Sequence, residues 1–342
     1  MRIENLELNE NEECKWIILS KRIVTRRTKR MDKFLITGGA GFIGSNLAEK
    51  LIHAGNEVVI VDDLSMGLKT NIANLNQELL TFYQESITNH QFMEELLVRE
   101  KFDYIILLGA VASVADSVAN PYTTHLINQE ANINVYEVIR KNKLKVKKVL
   151  FASSAAVYGN NPELPKKETS PIEPLTPYAI DKFASERYAM TYGKLYNIPT
   201  VATRFFNVYG PRQNPNSPYS GVLSIIHECL KKGKEFTVFG DGEQVRDFTY
   251  VDDVTEAVVG LLYSSAKWDV YNVATGKTVT LNEVIAAFKQ AMGKELTVKY
   301  EQERTGDIKV SAADISKISR EIDYQPKYDI SLGLKEYIRK SK

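Results

Sequence analysis

The sequence predicts an α/β protein, a doubly wound parallel sheet followed by a smaller C-terminal α/β region, and three observations lead to it. Short apolar runs of β character recur at 33–37, 58–61, 79–84, 104–108, 148–153 and 200–206, with helix-length segments between most of them. A chain that alternates in this way lays its strands parallel and covers both faces with helices. The first run leads into Gly38-Gly39-Ala40-Gly41-Phe42-Ile43-Gly44 and then into helical spacing at Ile43, Leu47, Leu51 and Ile52, which reads as strand, turn and helix. Finally, 342 residues are more than one small core needs, and 44% hydrophobic with 25% charged residues is a globular composition.

Taken in order, residues 1–30 open acidic (Glu4, Glu7, Glu10, Glu12, Glu13) and turn basic (Lys21, Arg22, Arg26, Arg27, Lys29, Arg30) before Met31. They are too acidic for a transit peptide and hold no apolar run long enough for a signal peptide, so a dispensable, disordered extension is expected. Residues 31–207 should form the first domain. Its second strand, Val58-Val59-Ile60-Val61, ends at Asp62, and a later one, Phe151-Ala152-Ser153-Ser154, ends in hydroxyls. Thr176-Pro177-Tyr178 carries the hydroxyl cap and first-turn proline that start a helix. Residues 208–342 should form mainly the second domain, with part of 246–274 returning to the first sheet. Three prolines and two asparagines in 211–219 mark a loop long enough to cover a site. Thr280-Leu281-Asn282-Glu283 is a capping box for a helix reaching about Met292.

Lys plus Arg number 44 against 43 for Asp plus Glu, a net charge of +1. No global field exists to attract nucleic acid or anionic lipid, and no apolar run approaches the ~20 residues of a membrane span. Neither partner is expected, and the reading places the protein in the cytoplasm. Cys14 and Cys229 form no disulfide framework, and the four histidines lack zinc-site spacing. The chemistry is expected to use neither thiol nor metal.

Gly38, Gly41 and Gly44 sit three apart at the strand-to-helix turn, the spacing that brings backbone up to a pyrophosphate at a helix N-terminus in a Rossmann-type sheet. A tight turn with close helix packing would use glycines too. Asp62, eighteen residues after Gly44, supports the dinucleotide reading. Its carboxylate can accept from an adenosine ribose diol and repels a 2'-phosphate, which favours NAD over NADP, although Lys69 argues the other way. Tyr178 and Lys182 are i and i+4 and share a helix face. A phenol of pKa ~10 is a poor base that a nearby ammonium improves; an ordinary surface pair has the same spacing. Strand carboxyl ends form the ligand crevice of such a sheet, so Ser153 and Ser154 should arrive there.

The order of these features, with Arg204-Phe205-Phe206-Asn207-Val208-Tyr209-Gly210-Pro211-Arg212 after them, resembles the extended short-chain dehydrogenase/reductase family from Met31 onward. Within it the chain looks most like the UDP-hexose 4-epimerases. The resemblance implies a tightly held NAD, bound by Gly38, Gly41, Phe42, Ile43, Gly44 and Asp62, with Ser86 and Ile87 near the adenine. It implies Tyr178 as the base, Lys182 on the nicotinamide ribose and lowering the tyrosine pKa, and Ser154 bonding the reacting hydroxyl. Asn128 matches a position that helps hold the lysine.

For the UDP-sugar, the resemblance implies Arg246 and Arg304 on the phosphates, Asp307 on the uridine ribose and Asn207 on a phosphate oxygen. Val222 and Phe239 match positions near the uracil. Ser311 stands where a bulky tyrosine limits the sugar C2 substituent in some relatives, so room for an N-acetyl group is expected. Relatives that dehydrate or decarboxylate place acids where this chain has Ala155-Ala156. A uronate 4-epimerase, a 4,6-dehydratase or decarboxylase, and a non-catalytic dinucleotide sensor are the competing readings. The helices expected near 122–141 and 177–196 resemble a pair that forms a four-helix homodimer interface.

Overall fold

The computed structural model describes residues 31–213, 221–303 and 309–341. The expected extension at 1–30 and most of the loop at 211–219 lie outside them.

Strand β1 (Lys33–Thr37) enters helix α1 (Phe42–His53) through the glycine turn, followed by β2 (Glu57–Val61), β3 (Leu80–Tyr83), α2 (His90–Glu100) and β4 (Tyr104–Leu107). The helix expected near 122–141 is broken: α3 (Val114–Ala119) and α4 (Pro121–His125) precede a π-helical turn at Leu126–Glu130, and α5 (Ala131–Lys141) completes it. A π turn inside a helix often marks a functional site. Next come β5 (Lys148–Ser154), α6 (Pro177–Leu195), capped by the Thr176 hydroxyl, and β6 (Thr200–Phe205).

The second half begins with β7 (Val208–Tyr209), α7 (Val222–Lys232), β8 (Phe236–Phe239), β9 (Val245–Arg246) and β10 (Thr249–Tyr250). Then α8 (Val251–Tyr263) and β11 (Asp269–Val273) return to the first half: the helix packs on α1, and the strand pairs with β6. The chain ends through β12 (Val279–Thr280), α9 (Leu281–Met292) with its capping box, β13 (Val298–Glu301), β14 (Val310–Ser311), α10 (Ser316–Ile322) and α11 (Ile330–Lys340).

Seven strands form one parallel sheet in the order β3-β2-β1-β4-β5-β6-β11. Its central strands β1, β2 and β4 read as nearly unbroken apolar runs because both faces are covered. Along β1, Phe34 and Ile36 face the layer of α1 and α8, where Leu47, Leu51, Val254 and Leu261 pack. Leu35 faces the other layer, with Met93 of α2, Val135 of α5 and Met190 of α6. Each such side chain, essentially inaccessible, contributes about 1.5–3 kcal/mol relative to exposure. A third core holds the second half together, with Leu223 and Ile226 of α7 against Phe288 of α9 and Leu334 of α11.

Candidate active site

The strand order reverses at β1 and β4, so their carboxyl ends splay and leave a crevice. A cleft of about 380 Å³ lies there. Its lining brings together the glycine turn, Asp62, Ser154, Tyr178 and Lys182, residues up to 144 positions apart in the chain.

The glycines serve two purposes. Gly38 has φ +68, and a Cβ there would stand 2.8 Å from the Gly109 backbone, so β1 can pass the end of β4 only without a side chain. At Gly41 an added Cβ would meet the Gly38 carbonyl oxygen at 3.1 Å and no other non-neighbouring atom within 4 Å. That position is bare toward the cleft. No side chain caps α1 at Gly41, which leaves first-turn N–H groups to an anion. Asp62 holds the turn from beneath: its carboxylate accepts from the Ala40 N–H at 3.0 Å and the Leu64 N–H at 2.9 Å. Burial pushes its pKa up, and these amides pull it back.

Helix α6 carries Tyr178 and Lys182 on the face toward β5. Tyr178 is half-buried; burial pushes its phenol above the ordinary value, and a hydrogen bond with the Ser154 side chain pulls it down. Lys182 is buried and donates from Nζ to the Ala152 carbonyl at 2.8 Å. Its Nζ lies 6.0 Å from the Tyr178 ring centre. Burial lowers the ammonium to about 8, with Asp181 opposing. In this structure the amine is directed to a carbonyl, and the Ser154 side chain is the group that bonds the phenol.

Two turns along from Tyr178, Glu186 forms a buried two-pronged ion pair with Arg204 of β6, at 2.7 and 2.9 Å. The Ser153 hydroxyl donates to the same carboxylate at 2.7 Å. This pair ties the helix bearing Tyr178 to the strand ends beneath it. Among the described residues no cluster of metal-binding side chains occurs, and no helix is long and apolar enough to cross a membrane.

Residues 35–337 match the family model described as GDP-mannose 4,6 dehydratase. The chain resembles the UDP-N-acetylglucosamine 4-epimerase of Methanobrevibacter ruminantium, solved with UDP-N-acetylmuramic acid: 38% identity, TM-score 0.86, covering 91% of this chain and 98% of that one. It resembles the UDP-glucose 4-epimerase of Thermotoga maritima, solved with UDP-glucose, at 35% identity and TM-score 0.85, covering 90% and 98%. The UDP-glucose 4-epimerase of Thermus thermophilus, solved with NAD, is similar at 34% identity and TM-score 0.82, again covering 90% and 98%. The chain is an extended short-chain dehydrogenase/reductase. Relatives named as UDP-sugar 4-epimerases stand among its matches, and a dTDP-glucose 4,6-dehydratase of Bacillus anthracis is similar as well, at 26% identity and TM-score 0.81.

In this family member the remaining residues fall into two groups. Ile87 lines the cleft, whereas the Ser86 hydroxyl turns to Thr88 at 2.9 Å, and Glu85 lines the wall instead. Asn128 is fully buried in the π turn and outside the lining. Its side chain accepts from the Val111 N–H at 2.8 Å and donates to the Val111 carbonyl at 3.0 Å. Its amide pins the loop after β4, and its main-chain carbonyl reaches α6, accepting from the Ser185 hydroxyl.

The second group centres on Asp247. Parallel pairing of β9 and β14 sets Arg246 opposite Ser311, and the Asp247 N–H donates to the Ser311 carbonyl at 3.0 Å. Asn207 donates to the Asp247 carbonyl at 2.8 Å. Arg246 donates to the carbonyls of Val245 and Lys309. Val222 opens α7 and Phe239 ends β8. Asn207, Val222, Phe239, Arg246 and Ser311 do not line the 380 Å³ cleft. Arg304 and Asp307 lie outside the described residues.

The cleft has walls the sequence reading missed: the 108–112 segment after β4, Met66 and Gly67, and Arg212 with Gln213. The run Leu108-Gly109-Ala110-Val111-Ala112, small residues after a buried strand, was a usable signal. Glu186 was another, standing i+4 from Lys182 on the same face.

Proposed function

We propose that the protein inverts C4 of a UDP-sugar with a resident NAD, taking UDP-GlcNAc/UDP-GalNAc and also UDP-Glc/UDP-Gal. The observation that carries this reading is the single cleft shared by the glycine turn, Asp62, Ser154, Tyr178 and Lys182. The residues fit the dinucleotide: Gly41 is bare toward the cleft, the helix end behind it is uncapped, and a buried carboxylate stands at the end of β2. Gly38, Gly41, Phe42, Ile43 and Gly44 would face the pyrophosphate, Asp62 the adenosine ribose, and Lys182 the nicotinamide ribose. When bound, NAD supplies a hydride acceptor that gives the hydride back.

Tyr178 then has one task, to take the proton of the sugar 4-hydroxyl and return it. A positioned base of this kind contributes about 10²–10⁴-fold in rate. Ser154, already hydrogen-bonded to the phenol, orients that hydroxyl and favours the phenolate. The sugar passes through a 4-keto state, turns over, and is closed from its other face, so the stereocentre inverts with no net redox change. Arg246, next to Ser311 across two paired strands, is the candidate phosphate partner. Serine at 311 leaves room at C2 for an acetamido group.

Ala155 and Ala156, the two residues after the Ser154 strand end, offer no acid to protonate a leaving 6-hydroxyl, which argues against elimination. Exposed apolar side chains on neighbouring helices, Val118 and Tyr122 on α3 and α4, Ile180, Tyr188 and Leu195 on α6, support a homodimer built through these helices. The test of the function is incubation with UDP-Glc, UDP-GlcNAc and UDP-GlcA without added NAD, followed by product separation. C4 epimers of the first two without NADH are expected; a deoxy or decarboxylated product, or NADH accumulation, would overturn the reading.

A further inference from the structure

After β7 the chain turns at Gly210 and Pro211 and crosses onto α1, the helix whose first turn faces the cleft. Asn46, buried in α1, donates from Nδ2 to the Phe42 carbonyl at 2.8 Å and to the Pro211 carbonyl at 3.1 Å. Arg212 follows in the left-handed region, φ +69, which side-chain-bearing residues enter only when surrounding contacts hold them. Those contacts are on α1: Nη1 donates to the Ser45 carbonyl at 3.0 Å and Nη2 to the Glu49 carboxylate at 2.8 Å.

Arg212 and Gln213 line the cofactor cleft on one side. On the other they line a second cleft of about 750 Å³, bounded by His53, His227, Lys231 and Tyr337. The segment is thus a thin partition with open space on both sides. The polar contacts of Asn46 and Arg212 fasten it to α1.

We propose that residues 211–213 form a clasp that retains the dinucleotide, with Arg212 as its positioning residue. The proposal rests on the cofactor reading above. Arg212 fastens the second half of the chain across the turn at which the pyrophosphate would sit, and releasing it opens one wall of the cleft. The anchoring groups are Ser45 and Glu49, so the clasp and the anion-binding helix end move as one unit.

The test is release of NAD from the purified full chain, timed by exchange against an excess of a fluorescent etheno-adenine analogue of NAD, with bound NAD also counted after acid release. Arg212→Ala removes the side-chain bonds and strains the left-handed backbone; Arg212→Gly removes the bonds and relieves the strain. Both should release NAD roughly tenfold faster than wild type, and Glu49→Gln, a partly exposed change that keeps the fold, about threefold faster. NAD release within twofold of wild type in Glu49→Gln and in whichever Arg212 variants fold overturns the clasp. Wild-type protein that carries and takes up no NAD overturns the cofactor reading itself, and the clasp with it.

Discussion

Replacing Arg204 by methionine tests the structural base of the site most severely. The side chains of Arg204 and Glu186 are 4% and 0% exposed, and their two charge-assisted bonds are 2.7 and 2.9 Å. Burial opposes the charge on Arg204, and the Glu186 carboxylate overcomes it, lifting the guanidinium above its ordinary pKa. Arg204→Met leaves that carboxylate in the interior with only the Ser153 hydroxyl as donor, and removes a donor from the Tyr158 hydroxyl. Removing one partner of a buried pair costs about 3–5 kcal/mol. With a urea slope of about 3 kcal/mol per molar, the unfolding midpoint should fall by about 1 M or more, read by intrinsic fluorescence. Adding Glu186→Leu should recover part of that loss, because an apolar pair no longer strands a charge. A single variant within about 1 kcal/mol of wild type, or a double variant losing the full sum of two singles, would refute the reasoning.

Three further outcomes follow from the same geometry. Tyr178→Phe removes the proton acceptor and should lower kcat by about 10²–10⁴-fold while NAD, assayed by acid release, stays bound. Ser154→Ala removes the bond that pulls the phenol down, so the acid limb of the kcat/KM profile should move to higher pH; an unmoved limb would mean that Tyr178 is not the titrating base. Ser311→Tyr should lower the rate on UDP-GlcNAc relative to UDP-Glc by about tenfold or more, measured by product separation, because a ring would fill the space left to the C2 substituent.

The parts of the molecule legible in the sequence are those written in local spacing. The apolar runs with glycine and hydroxyl ends mark β1, β2 and β5, and one helical turn separates Tyr178 from Lys182. The doubly wound sheet follows from that alternation and from the crossover rule. What escaped depends on contacts between distant segments. Arg212 and Gln213 reach the cleft only because the turn at Gly210 and Pro211 carries the chain across to α1. The burial of the Tyr178 phenol, its bond to Ser154 and the direction of the Lys182 amine toward Ala152 are tertiary features that no spacing reveals. The contact of the Asn128 amide with Val111 depends on the π turn that carries it, which local spacing does not show. The adjacency of Arg246 and Ser311, 65 residues apart, is set by strand pairing that neither sequence segment encodes alone.

The most direct measurement follows the hydrogen on C4. A UDP-sugar deuterated at C4, incubated in ordinary water without added NAD, should give the C4 epimer with its deuterium retained at C4 by mass spectrometry and proton NMR. Retention is what a hydride held within one cleft, with Tyr178 handling only the hydroxyl proton, requires. Replacement of the label by solvent hydrogen would contradict the account.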